Sequence, residues 1–82
     1  MNRKALKKIL EEIVAGKELV PLFIESGLAP STLYWALKAF QQTPDMGLAQ
    51  KITAKKKVSP HYLLDRVSSL VDQIDEFRGS NP

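Results

Sequence analysis

Apolar residues recur along this chain at intervals of three and four, and glycine or proline interrupts the rhythm where segments should end. Leu6, Ile9, Leu10, Ile13 and Val14 share one stripe of a helix predicted over about 2–15, which Gly16 should stop. A second helix is predicted over about 18–26, because Pro21 is tolerable only in a first turn, where amides lack helical partners. Gly27 then permits a sharp, left-handed turn. The third helix should run from Pro30 to about residue 41, with Leu33, Ala36, Leu37 and Phe40 inward and Ser31, Tyr34, Trp35, Lys38 and Gln42 outward.

Thr43-Pro44-Asp45 reads as a restart: a capping hydroxyl, proline at the first helical position, then an acid against the positive helix end. The helix it opens should span about 44–56 and bury Leu48, Ala49 and Ile52. Ser59-Pro60 repeats that signal and starts a fifth helix reaching about Phe77, with Gly79 as a stop and 79–82 as a frayed tail. No alternating run of strand length interrupts the pattern. The expected fold is all-α: a compact bundle of about five helices with a long C-terminal helix.

Eighty-two residues make one domain, in which 1–58 form the body and 59–78 a C-terminal helix expected to serve as the dimerisation element of the same domain. The chain has no cysteine, which removes disulfides, thiolate-bound zinc and thiol chemistry. Its longest apolar run, Leu19 to Ile24, is far short of the roughly 20 residues that cross a bilayer. Arg3, Lys4, Lys7 and Lys8 are followed by Glu11 and Glu12, which interrupt any signal-peptide core, so a cytoplasmic address is expected.

Net charge is +3, but its distribution is more informative. Residues 1–58 carry ten Lys or Arg against five acids, whereas 59–82 carry two against four. A basic body suits a polyanion, and the acidic helix should lie away from it.

Leu63, Val67, Leu70, Ile74 and Phe77 are spaced by four, three, four and three, the repeat of a coiled-coil seam. This stripe could pack against helix one of its own chain. About two and a half heptads exceeds what a small core needs, so homodimerisation through these five residues is the favoured expectation.

The most informative stretch is "ELVPLFIESGLAPSTLYWALKAF", Glu18 to Phe40: a short helix, a glycine-containing turn, and a second helix with a free outer face. Leu22, Phe23, Leu28, Leu33 and Leu37 should clamp the pair. "SGLAPSTLYWALK" resembles the turn and recognition helix "GVSPSTVSRVL" of bacterial and phage repressors, and "LAQKI" followed by "VSPHYLLD" is similar to the later helices of the Cro/CI-type (lambda-repressor-like) family. The resemblance covers about residues 18–65. That family commonly has glycine before "VSP"; Lys57 stands there in this chain, which predicts an altered turn.

The resemblance implies a helix-turn-helix regulator of transcription, a homodimeric repressor from a phage or plasmid that excludes polymerase from a palindromic operator. It implies base-edge contacts from Pro30, Ser31, Tyr34, Trp35 and Lys38, and phosphate contacts from Thr32, Gln42, Lys17, Arg3 and Lys4. Two motifs on one dimer would read half-sites roughly 34 Å apart. Double-stranded DNA and a second copy of the chain are the partners it implies, with a protein antagonist or polymerase as further ones.

Plainer readings stand beside these. Trp35 could fold under helix four as core, and Lys55-Lys56-Lys57 could simply complement the negative end of that helix. His61 and Asp65 lie one turn apart, but a lone histidine without a nucleophile or second ligand suggests a surface residue, so no catalytic, metal or cofactor site is expected. The rival of a different class is a helical adaptor or assembly module in which Tyr34 and Trp35 form a protein-binding hot spot.

Overall fold

The computed structural model describes residues 2–79 and consists of five helices with no strand among them: α1 (Arg3–Val14), α2 (Leu19–Ser26), α3 (Pro30–Gln42), α4 (Met46–Lys56) and α5 (Pro60–Gly79). The fold is all-α, with the long helix at its C-terminal end. Residues 80–82 of the expected frayed tail lie outside the described residues, and α5 extends to Gly79, the last of those described.

Local chemistry sets most boundaries. The Asn2 side chain accepts from the Ala5 amide at 2.8 Å and caps α1. Gly16, at φ 99°, turns the chain out of that helix in a conformation that a β-carbon would strain. Ser59 Oγ accepts from the Tyr62 amide at 3.3 Å and starts α5. The restart after α3 differs from expectation. Thr43 terminates α3, and Asp45 rather than Thr43 caps the next helix, its carboxylate accepting from the Leu48 amide at 3.1 Å. A charged acceptor outcompetes a hydroxyl at a positive helix end, and Pro44 stays outside the helix.

The core is one cluster to which every helix contributes. Leu10, Ile13, Leu22, Leu33, Leu37, Leu63, Val67 and Leu70 are fully buried within it. Helix α3 packs on α5, while α1 packs on α4, α5 and α2. Arg66 fastens α5 to the end of α1: its Nη2 donates to the Lys17 carbonyl at 2.9 Å, meeting an acceptor that no helix bond satisfies.

The expected dimerisation seam is therefore corrected. Leu63, Val67 and Leu70 are completely buried within the monomer and Ile74 nearly so, leaving Phe77 as the exposed member of the five. Twenty residues of helix were needed because α5 is the central support against which α1, α3 and α4 all pack. The internal-packing alternative describes this helix.

Candidate nucleic-acid interface

The α2–α3 pair has the local features its sequence suggested. Gly27 ends α2 in the left-handed region at φ 68°. Ser26 Oγ donates to the Phe23 carbonyl at 3.1 Å and accepts from the Leu28 amide at 3.2 Å, so one hydroxyl ties both sides of the turn. Leu28 is half-buried against the core, Ala29 is extended, and Pro30 occupies the first position of α3. Leu22, Leu33 and Leu37 are fully buried as expected, with Phe23 half-buried beside them.

The outward face of α3 is narrower than the helical pattern suggested. Pro30, Ser31, Thr32, Trp35, Ala39 and Gln42 are exposed, Trp35 at 61%. Trp35 is thus a surface residue, not core under α4. Tyr34, expected among the base-reading residues, is buried. Its hydroxyl donates to Asp75 Oδ1 at 2.6 Å, its ring meets Trp35 edge-on at 5.1 Å, and the Arg78 guanidinium lies 4.7 Å above it. The Asp75 hydrogen bond, helped by burial, holds the Tyr34 hydroxyl above the usual phenol range. Lys38 is half-buried with its Nζ 3.7 Å from Asp75 Oδ2, so this second expected base reader is directed towards α5.

Two expected phosphate contacts are also engaged internally. Lys17 is bracketed by Glu25 at 2.7 Å and Glu12 at 3.3 Å, and these carboxylates, Glu25 foremost, raise its pKa. It joins α1 to α2 and is not free for DNA. Arg3 pairs with Asp45 but stays largely exposed. The Asp45 carboxyl is held below its ordinary range by the Leu48 amide first and by Arg3 second. Lys4, Thr32 and Gln42 remain exposed. His61 and Asp65 are both exposed on the first turns of α5.

Three features escaped sequence reasoning. Asp75 and Arg78 lie on the helix expected to stay away from the site, yet they fix α3 from behind. The turn before "VSP", expected to be altered for want of a glycine, keeps a left-handed residue, with Lys57 at φ 57°. A mainly apolar hollow of about 590 Å³ opens beside the pair, walled by Leu19, Val20, Phe23, Trp35, Ile74 and Phe77. No local pattern announces that hollow, since its walls come from α2, α3 and the far end of α5.

No family model, curated protein or solved structure matches this chain. Among the described residues, no helix is long and apolar enough to cross a membrane.

Proposed function

We propose that this chain is a sequence-specific regulator that binds double-stranded DNA through α2 and α3, with α3 in the major groove. The observation that carries the proposal is the turn at Gly27 followed by an α3 whose leucines anchor it while Ser31, Thr32, Trp35 and Gln42 stay exposed along one arc. Base-edge contact falls to Pro30, Ser31 and Trp35: the serine hydroxyl can donate or accept, and proline or indole carbons can meet a thymine methyl group. Thr32 and Gln42 suit phosphate oxygens. Tyr34 and Lys38 leave the reading set and become supports. Repression by promoter occupancy rests on the resemblance to Cro/CI-type proteins.

Selection of bound sequences from a random duplex pool tests this reading. A defined, enriched motif is the expected product, and a palindrome would indicate two copies per site. Contact between such copies would involve a surface other than Leu63, Val67, Leu70 and Ile74. A pool that never departs from random composition would refute sequence-specific recognition.

One observation favours a second reading, an adaptor that docks a protein. The hollow beside Trp35 is apolar, and Val20, Trp35 and Phe77 around it are each more than 60% exposed. An adaptor would bind little duplex DNA at any salt concentration, whereas a regulator should bind random duplex strongly at low salt.

A further inference from the structure

Apart from Lys7, which is half-buried on α1, the lysines and arginines of this protein fall into two groups. Around α2, α3 and α5 they are engaged: Lys17 with Glu12 and Glu25, Lys38 with Asp75, Arg66 with Glu18 and main-chain carbonyls, and Arg78 over Tyr34. Arg3 is held by Asp45. Lys4, Lys8, Lys51, Lys55, Lys56 and Lys57, by contrast, are exposed, and no ion pair among the described residues engages them. All six lie on α1, on α4 or at the end of α4.

These two helices pack together. Arg3 meets Asp45 where both begin, and further along Lys8, Glu11 and Glu12 share a hollow with Lys55 and Lys56, so they run side by side in the same sense. Lys4 and Lys8 are one turn apart on α1, as are Lys51 and Lys55 on α4. Each pair spans about 6 Å along its helix. The result is a two-rowed, mainly cationic surface that extends to the turn, where Lys8 lines a crevice with Ser26, Leu28 and the two carboxylates committed to Lys17, Glu12 and Glu25.

Local energetics do not account for all of these lysines. Lys55 and Lys56 suit the negative end of α4, but Lys4 sits in the first turn of α1, where a cation opposes the helix dipole and no acid offsets it. Lys57 holds a left-handed conformation that glycine would adopt without strain.

We infer that the α1–α4 lysine surface holds the phosphate backbone of the duplex that α3 reads, supplying the sequence-independent part of the affinity. The choice of duplex rests on the DNA-binding reading and on what the surface lacks. Dispersed, exposed ammonium groups match a chain of phosphates rather than one small anion. The outward arcs of Lys4, Lys7, Lys8 and Glu11 on α1 and of Gln50, Lys51, Ala54 and Lys55 on α4 carry no aromatic residue. They therefore offer neither a stacking platform for single strands nor an anchor for a lipid surface.

The test uses the full chain and a random-sequence duplex, with binding measured from about 50 to 200 mM salt. Combining K51Q, K55Q and K56Q should lower the magnitude of the log–log salt slope by about 2–3. It should weaken random and selected duplexes by the same factor, with helicity by circular dichroism unchanged. K57G should melt at a higher temperature yet bind more weakly, which a purely structural lysine would not do. A folded triple variant with the wild-type slope would overturn the inference, as would equal binding to anionic lipid vesicles. S31A separates the two proposals: loss of site preference at an unchanged slope leaves the lysine surface in place. If the wild type binds with a steep slope but selects no sequence, the α3 reading fails and the lysine surface stands.

Discussion

The Tyr34 hydroxyl donates to the Asp75 carboxylate at 2.6 Å, joining residues 41 positions apart and fixing the rear of α3 to the far end of α5. The same carboxylate faces Lys38 through its other oxygen. A tyrosine and a lysine that helical phase alone would offer to a ligand are thereby turned into braces, and the exposed arc of α3 is defined by what remains.

That bond makes stability depend on alkaline pH. Because the folded state raises the Tyr34 pKa above its ordinary 10.0, the contribution is complete below that value and disappears as pH rises through the folded value. Thermal unfolding between pH 8 and 12 should show wild-type stability falling more steeply above pH 10 than that of Y34F. The variant should also melt lower at neutral pH. Superimposable profiles would mean that the hydrogen bond contributes nothing.

Asp45 predicts the opposite limb. Its pKa is lowered, so its contribution is present above the ordinary carboxyl value of 3.8 and is lost as pH falls through the folded value. D45N should keep the helix cap while flattening this part of the acid profile. D45A should lose the cap as well. Since the Leu48 amide lowers the pKa more than Arg3 does, R3A should preserve most of the acid dependence.

Burial of the α5 stripe gives a mutational prediction with a size. Leu70→Ala removes a completely enclosed side chain and should cost about 2–5 kcal/mol. In a small domain that is a large fraction of the total stability. Any dependence of the melting temperature on protein concentration should be the same in wild type and variant. If the substitution instead separates a dimer into stable monomers, the stripe is an intermolecular seam.

Trp35 should behave differently. With 61% of its surface exposed but its ring edge-on to Tyr34, Trp35→Ala should cost about 0.5–1.5 kcal/mol, less than Leu70→Ala. It should weaken binding to a selected DNA site more than to random duplex. Equal weakening of both would remove Trp35 from base contact.

Helix number, order and most inward stripes were legible in the sequence because 3.6-residue periodicity and glycine–proline punctuation are local signals. Leu33 and Leu37 on α3 and Ile9 and Ile13 on α1 were identifiable on that basis. Tyr34 was not, because its burial depends on Asp75 and Arg78, and helical phase says nothing about a partner 41 residues away. The α5 heptad was visible, but its partner was not: the same spacing serves an intermolecular seam or a central helix. Lys17 was misread for a related reason: its charge was evident, but the loop carries it between Glu12 of α1 and Glu25 of α2 only once those helices are folded together.

The salt dependence of duplex binding tests the central proposal most directly. If about six phosphates are contacted, the observed association constant should fall with a log–log slope of roughly −5. Tight binding near 50 mM salt that weakens steeply towards 200 mM would support the DNA-binding account. Negligible binding to duplex across that whole range would contradict it.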